Sequence, residues 1–162
     1  MAVIYLGIGS NVAPEENLRL AVSELRRLFG DLKLSNVYRN DAVGFAGDAF
    51  LNLVARAETE LSPIEIHELL ERIHSLAGRK RDGGRYVPRT LDIDLLMYDA
   101  LVVDDAPIRL PRTDVLEYSF VLLPMTELDA ELRHPLSGRT MADHWESYDK
   151  SCHPLERVDV IL

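Results

Sequence analysis

Asp92 and Asp94 are the residues of this sequence whose type and spacing most directly suggest chemistry. They alternate with Leu91, Ile93 and Leu95, which predicts a strand that has both carboxylates on one face and the apolar side chains in the core. Two carboxylates held so close repel each other, so a divalent cation that neutralises both is a natural reason for the arrangement. Oxygen ligands favour Mg²⁺, which uses one or two carboxylates and completes its shell with water and phosphate oxygens.

The segment before this strand is basic, although the chain as a whole has a formal net charge of −9. Guanidinium groups bind phosphate through two hydrogen bonds, and the pair Gly83 and Gly84 would let the segment change conformation around a ligand. Cations beside metal-binding carboxylates are what phosphoryl transfer requires, whereas a solvated surface is the alternative for either feature alone. The five basic residues, set against the single acid Asp82, are Arg79, Lys80, Arg81, Arg85 and Arg89.

The composition of the chain limits the remaining possibilities. Its 162 residues, 47% of them hydrophobic, predict one compact domain spanning residues 1–162. The single cysteine, Cys152, cannot form an internal disulfide, and the N-terminal segment lacks the pattern of a signal peptide, so we expect a cytoplasmic protein. The acidic balance argues against binding to nucleic acid or to a membrane, and the local basic segment instead predicts a small anionic ligand.

Hydrophobic periodicity predicts an α+β fold. The order strand, helix, strand, strand, helix, strand is that of a ferredoxin-like βαββαβ core, in which helices flank a mainly antiparallel sheet. A capping-box pattern at Ser62 marks the start of the second helix, and Gly30 and Gly78 mark the ends of the two helices. The predicted core strands are residues 3–9, 32–39, 50–58 and 91–95. The predicted core helices are residues 14–29 and 62–77. The predicted C-terminal additions are a hairpin (100–110), two helices (114–123 and 140–148) and a last strand (158–162).

Several segments together resemble one enzyme family. They are YLGIGSN, YRNDAVG, FLNLVARAETELSP, GRKRDGGRYVPRTLDIDLL, FVLLP and HPLSG, and they cover essentially the whole chain. The chain resembles the 6-hydroxymethyl-7,8-dihydropterin pyrophosphokinases of folate biosynthesis, and PRTLDIDLL after an arginine-rich loop is the most specific part of the resemblance. It implies a ferredoxin-like fold, two magnesium ions, and transfer of pyrophosphate from MgATP to the pterin hydroxymethyl group with release of AMP. We expect a monomer with ATP and hydroxymethyldihydropterin as its substrates.

The resemblance also implies roles for individual residues. It makes Asp92 and Asp94 the magnesium ligands, in agreement with their spacing, and it makes Asp94 a catalytic residue together with Arg79 and Arg89. The residues implied for ATP are Arg79, Arg81, Arg85, Arg89, Leu95, Arg112 and Thr113. The residues implied for the pterin are Val43, Gly44, Phe50, Asn52, Tyr86 and Phe120, with the flat ring between the two phenylalanines.

The chain departs from the family pattern around both implied ligands. Arg112 replaces a histidine and Tyr118 replaces an arginine, so one full cation is kept at a new position. If Arg112 compensates for the cation missing at Tyr118, both side chains should face the nucleotide phosphates. The other departures are His74 for a glutamate, Tyr86 for a tryptophan, and Asn40 and Asp41 for a threonine and a proline.

These departures leave one alternative to the enzyme, a divergent paralogue of weak or no activity that binds nucleotide or a related pterin. Formation of AMP that depends on dihydropterin would separate the two. An RNA-binding module on the same fold is a second alternative. It would need a basic surface and clustered aromatic residues on its sheet, and the sequence has neither.

Overall fold

An antiparallel sheet organises the fold in the computed structural model of the chain, which describes residues 1–41, 48–78 and 91–162. Its strands are β1 (Ala2–Ser10), β2 (Lys33–Leu34), β3 (Val37–Asn40), β4 (Phe50–Thr59), β5 (Asp92–Tyr98), β6 (Val103–Asp105), β7 (Ile108–Leu110) and β8 (Glu156–Val158). The main sheet has the order β5, β1, β4, β3 and β8, with β2 also paired to β4, and β6 and β7 form a separate hairpin. The described strand pairs are all antiparallel.

Helices cover both faces of this sheet. They are α1 (Pro14–Phe29), α2 (Pro63–Leu76), α3 (Asp114–Glu117), α4 (Ser119–Leu128) and α5 (Met141–Ser147). Buried side chains of α1 and α2 form one core cluster with the sheet, and those of α4 and α5 form a second cluster on the opposite face. Across the three described ranges, no helix is both long and apolar enough to cross a membrane.

Alternation along β1 determines which face each core cluster occupies. Ile4 and Ile8 are buried in the cluster with α1 and α2, whereas Tyr5 is buried in the cluster with α4. Gly7 and Gly9 follow Tyr5 at the same period of two, so they lie on the α4 face of the strand. Since glycine has no side chain, this end of the α4 face has space that packed residues would otherwise fill.

The helix signals in the sequence correspond to the observed helix ends. Pro14 occupies the first turn of α1, and Gly30 ends that helix with a positive φ of 75°. Ser62 and Glu65 form the predicted capping box of α2, since each side chain accepts a hydrogen bond from the other residue's backbone N–H. The ferredoxin-like arrangement and the core helices are therefore as predicted.

Most predicted bounds shift by a residue, β5 continues beyond the predicted 91–95 to Tyr98, and three further elements differ more. The strand predicted for residues 32–39 is divided into β2 and β3, because Ser35 Oγ accepts the Val54 N–H in place of a regular ladder bond. The helix predicted for residues 114–123 is interrupted at Tyr118, whose backbone is extended. The last strand is Glu156–Val158 rather than 158–162, since Val158 pairs with Val37, the first residue of β3.

Candidate active site

Asp92 and Asp94 lie on β5, the strand at one edge of the described sheet. In its pairing with β1, Asp92 is opposite Gly9 and Asp94 is opposite Gly7. Neither glycine has a side chain that could fill the space beside the carboxylates. Ile93, between the two acids, is buried in the core. Both carboxylates therefore lie on one face of β5, as their spacing predicts.

A cavity of about 220 Å³ lies over this part of the sheet, and we call it the main cavity. The sheet order separates the strand residues of its lining into two sides, because β5 supplies Asp92 and Asp94, and β3 and β4 supply residues beyond β1. The acidic side has Asp92, Asp94 and Asp114, and the opposite side has Asn40, Phe50 and Asn52, with Tyr118 and Phe120 from the α4 region. Such a cavity can hold a charged, cation-bound group next to a flat polar ring.

The acidic side of the main cavity brings three carboxylates close together. Burial is the main cause that raises the pKa of Asp94; Arg112 lowers this pKa, and Asp114 and Asp92 raise it further. Arg112 Nη1 is 4.0 Å from Asp94 Oδ1, and Nη2 is 3.3 Å from Asp114 Oδ1. A divalent cation at this position would offset both the burial and the repulsion.

A smaller cavity of about 90 Å³ adjoins the main cavity at Asp94, which lines both. Leu95 and Arg112, two residues implied for ATP, line this smaller cavity. Arg112 Nε is buried and has no hydrogen-bond partner among the described residues, so it remains available to an acceptor on a ligand. Thr113 lines neither cavity, and its backbone carbonyl accepts hydrogen bonds from the N–H groups of Leu116 and Glu117.

His74 lines the smaller cavity as well and is only 4% exposed. Its Nε2 accepts the backbone N–H of Ile93 at 2.8 Å, and its Nδ1 is 3.1 Å from Glu71 Oε1. The Ile93 N–H lies between the two aspartates along β5, so this hydrogen bond links β5 to α2 at the position of the acids. The sequence marked His74 as a departure from the family pattern without indicating this bond.

Aromatic side chains form one wall of the main cavity. Tyr118 and Phe120 stack with ring centroids 4.9 Å apart and planes 15° apart, and His153 meets both rings edge-on. Tyr118 therefore lines the main cavity, whereas Arg112 lines the smaller one. The expectation that both side chains face the same phosphates stays a prediction, and the two residues line adjoining cavities that share Asp94.

A pair of asparagines lies opposite the acids. Asn52 Nδ2 donates a hydrogen bond to Asn40 Oδ1, and Asn40 Nδ2 donates one to the Asp41 carbonyl at 3.0 Å. Asn52 was implied by the family resemblance. Asn40 was not assigned to the site from sequence, although its departure from the family pattern beside the implied pterin residues was a signal that could have been followed. In the structure it is only 6% exposed.

Seven implied site residues lie outside the described ranges. They are Val43, Gly44, Arg79, Arg81, Arg85, Tyr86 and Arg89. Within those ranges, no three His, Cys, Asp or Glu side chains are grouped as a metal site. The pair of Asp92 and Asp94 nevertheless fits Mg²⁺, which needs only one or two carboxylates when phosphate oxygens and water supply the other ligands.

An antiparallel α+β fold with paired carboxylates over a cavity defines a class of protein suited to metal-dependent phosphoryl transfer. The family model described as 7,8-dihydro-6-hydroxymethylpterin-pyrophosphokinase (HPPK) matches residues 5–130. The chain belongs to this family. It is an enzyme of folate biosynthesis that transfers pyrophosphate from ATP to 6-hydroxymethyl-7,8-dihydropterin, as the resemblance implied, and the family uses magnesium with ATP.

Curated relatives support this membership over most of the chain. The 2-amino-4-hydroxy-6-hydroxymethyldihydropteridine pyrophosphokinase of Aquifex aeolicus is 33% identical over 145 residues, covering 88% of this chain and 90% of that protein. The enzyme of the same name from Bacillus subtilis is 34% identical over 130 residues, covering 78% and 77%. That of Pseudomonas aeruginosa is 34% identical over 144 residues, covering 86% and 88%.

Solved structures show the same fold at low sequence identity. A crystal structure of HPPK-DHPS in complex with substrates has a TM-score of 0.75 and 10% identity, covering 93% of this chain and 44% of that one. Plasmodium falciparum HPPK-DHPS has a TM-score of 0.73 and 11% identity, covering 91% and 44%. This chain therefore spans less than half the length of these solved proteins. The likeness concerns the fold alone.

Proposed function

We propose that pyrophosphoryl transfer takes place in the main cavity, with Asp92 and Asp94 as ligands of two magnesium ions that accompany ATP. Phe50, Asn52 and Phe120 would hold the pterin. One observation carries the proposal: a single cavity has paired carboxylates on one side and aromatic and amide side chains on the other. The two substrates of the reaction need these two kinds of surface next to each other.

In this proposal the hydroxymethyl oxygen of the pterin attacks the β-phosphorus of ATP. The bond from that phosphorus to the oxygen it shares with the α-phosphate breaks, AMP leaves with that oxygen, and the hydroxyl proton is released. Bound magnesium would supply positive charge that reduces repulsion between the phosphates and the attacking oxygen. Asp92 and Asp94 would fix its position, and the aromatic residues would hold the ring so that its hydroxyl points towards the acids.

The nucleotide is proposed to extend from Asp94 into the smaller cavity, where Leu95 and Arg112 lie. Arg112 would contact a phosphate, because its guanidinium is already beside the carboxylate that both cavities share. The roles of Thr113 and of the basic segment in ATP binding rest on the family resemblance, as do those of Val43, Gly44 and Tyr86 in pterin binding. The catalytic arginines of that segment would be Arg79 and Arg89, with Arg81 and Arg85 as further phosphate contacts.

We also propose that residues 1–162 form one pyrophosphokinase domain that acts as a cytoplasmic monomer. The sheet supports the single domain, because β8, near the end of the chain, pairs with β3. The exposed free thiol of Cys152 supports a reducing compartment.

Product analysis tests the proposed reaction. The purified chain, MgATP and 6-hydroxymethyl-7,8-dihydropterin should give AMP and pterin diphosphate in equal amounts, measured by phosphorus NMR, and chelation of magnesium should stop the reaction. Formation of ADP would contradict transfer of pyrophosphate. Binding of both substrates without AMP formation would instead identify a paralogue that has lost the activity.

A further inference from the structure

The asparagine pair at the main cavity forms a chain of hydrogen bonds that ends on the backbone. Asn52 Nδ2 donates to Asn40 Oδ1, and Asn40 Nδ2 donates to the Asp41 carbonyl. Asn40 is the last residue of β3 and is 6% exposed, whereas Asn52 on β4 is half-buried and lines the cavity with it. The pair therefore connects a buried amide to one that a ligand can reach.

This chain of bonds has only one direction. A side-chain amide has nearly the same shape when its oxygen and nitrogen are exchanged, so its partners determine which atom is where. The Asp41 carbonyl can only accept, so the Asn40 atom that faces it is Nδ2. Asn40 Oδ1 is then left to accept from Asn52, and the Asn52 atom that faces it is Nδ2.

The direction leaves Asn52 Oδ1 outside the hydrogen bonds of the pair, beside Gly9, which lines the cavity too. In the described part of the chain no donor is bonded to this oxygen. It lies over Gly9, the residue paired with Asn52 between β1 and β4, and a side-chain carbon built on Gly9 would collide with it. Glycine at position 9 thus provides the space that the Asn52 carbonyl occupies.

We propose that Asn40 is a positioning residue that holds the Asn52 amide with its oxygen towards the pterin, so that the site selects a ring offering an N–H donor there. The inference rests on the proposed function, because it takes Asn52 as a pterin contact. With Asn40 in place, a ligand that brings an acceptor to Asn52 Oδ1 meets a lone pair instead of a donor. Without Asn40, the amide can rotate and this discrimination is lost.

A double-mutant cycle with the full chain tests the proposal. Asn40→Leu removes the hydrogen bonds at similar size, and Asn40→Ala is a second variant in case the leucine disturbs folding. Each should raise the Kd for 6-hydroxymethyl-7,8-dihydropterin roughly fivefold to tenfold and leave the Kd for MgATP unchanged. Asn52→Leu should weaken pterin binding at least as much, and adding Asn40→Leu to it should have little further effect, because Asn40 acts through Asn52.

The relative affinity for two substrate analogues is a measurement that would not change if Asn40 had only a structural role. One carries a methyl group on the pyrimidine-ring N–H, and the other lacks the exocyclic amino group. The wild-type chain should bind at least one of them much more weakly than the parent pterin, and the Asn40 variants should reduce that difference. Asn36→Leu is the matched control, since Asn36 also uses its amide in a side-chain hydrogen bond, to Glu127, away from the cavity.

Each outcome has a defined meaning. If Asn52→Leu leaves pterin binding unchanged, the pterin assignment in the proposed function fails and the inference fails with it. If Asn52→Leu weakens binding but the Asn40 variants do not, the inference is overturned while the proposed function stands. Additive losses in the double variant, or unchanged discrimination between the analogues, would also overturn it.

Discussion

Asp94 is the residue on which the account of the site depends most, because it lines both cavities. Burial raises its pKa, and Arg112 is the cation that opposes this effect. Arg112 also approaches Asp114 at 3.3 Å, so a single guanidinium lies between two carboxylates. In this position the Arg112 guanidinium can give up a contact with one of these carboxylates and bind a phosphate oxygen instead when the nucleotide binds.

At the scale of single residues, we predict that Arg112→Ala weakens binding of MgATP more than binding of the pterin. A lost hydrogen bond to a charged group typically costs about 1.5 to 3 kcal/mol, which corresponds to roughly tenfold or more in affinity. Arg112→Lys should give an intermediate loss, because lysine keeps the charge but not the two-pronged geometry. Titration calorimetry with a nonhydrolysable ATP analogue measures all three proteins.

Arg27→Ala is the control for this measurement, since Arg27 is an exposed arginine of α1 that pairs with Glu24. It should bind the analogue like the wild type. Unchanged affinity in Arg112→Ala would show that Arg112 does not replace the cation missing at Tyr118. The stack of Tyr118 on Phe120 would then be the only described consequence of that departure.

At the scale of elements, the carboxylate strand depends on contacts that lie outside its own sequence. β5 pairs on one side with β1, and on its other side the Ile93 N–H is accepted by His74 of α2. Because a backbone N–H must donate, His74 Nε2 is the acceptor, and its Nδ1 can donate towards Glu71. The histidine therefore replaces a missing strand partner at the point where the two aspartates project.

We predict that His74→Leu lowers the free energy of unfolding by about 1 to 3 kcal/mol, because it leaves the Ile93 N–H buried without an acceptor. Urea unfolding in the absence of ligands measures this change. His74→Gln offers an amide oxygen as acceptor and should recover part of the loss. His67→Leu, two turns earlier on α2, should change stability by less than about 0.5 kcal/mol. Equal losses at both positions would show that helix packing, and not this bond, is responsible.

Local patterns predicted the elements that depend on their own residues. The alternation around Asp92 and Asp94 was sufficient for β5, and the capping box at Ser62 was sufficient for the start of α2. The interruption of the predicted helix at Tyr118 could not be predicted in this way. It occurs where the Tyr118 ring stacks on Phe120, a contact that forms only in the folded chain. The last strand likewise depends on where β3 begins, which a local pattern does not contain.

The site could be predicted to a similar extent. Spacing alone indicated the carboxylate pair, and the resemblance added Phe50, Asn52 and Phe120, which the fold brings to the same cavity. The role inferred for Asn40 requires the pairing of β3 with β4, which places Tyr38 opposite Asn52 and brings the two amides together. No motif in the sequence contains that register.

At the scale of the whole molecule, stability in acid should depend on a buried histidine distant from the site. Burial, and then the neighbouring His144, lower the pKa of His134. His134 Nδ1 accepts the N–H groups of Leu136 at 3.2 Å and Ser137 at 3.4 Å, and protonation there would remove both bonds. The native state thus binds this proton less readily than the unfolded state.

We predict that the melting temperature falls as the pH is lowered from about 7.5 through the ordinary histidine pKa of roughly 6.5 to about 5, because a lowered native pKa makes the unfolded state take up the proton first. His134→Asn keeps an acceptor for the two N–H groups but cannot titrate in this range, so its melting temperature should fall less. His67→Asn should follow the wild type. Identical pH curves for His134→Asn and the wild type would contradict the prediction.

The whole molecule is acidic, with a formal net charge of −9, yet its substrate ATP is an anion. Two carboxylates in the cavity would repel that anion further unless cations intervene. The central claim is therefore that Asp92 and Asp94 bind the divalent cations with which ATP is held. This claim links the strand, the cavity and the reaction.

Electron paramagnetic resonance of Mn²⁺, used in place of Mg²⁺ with an ATP analogue whose α,β-bridging oxygen is a methylene group, measures that binding directly. The wild type should bind Mn²⁺ tightly in the presence of the analogue. Asp92→Asn and Asp94→Asn should each weaken Mn²⁺ binding by roughly tenfold or more. Even the loss of a residue that only hydrogen-bonds to a metal ligand typically lowers metal affinity by about that much. The exposed Asp105→Asn, in the β6–β7 hairpin, should behave as the wild type. Unchanged Mn²⁺ affinity in folded Asp94→Asn protein would contradict the account.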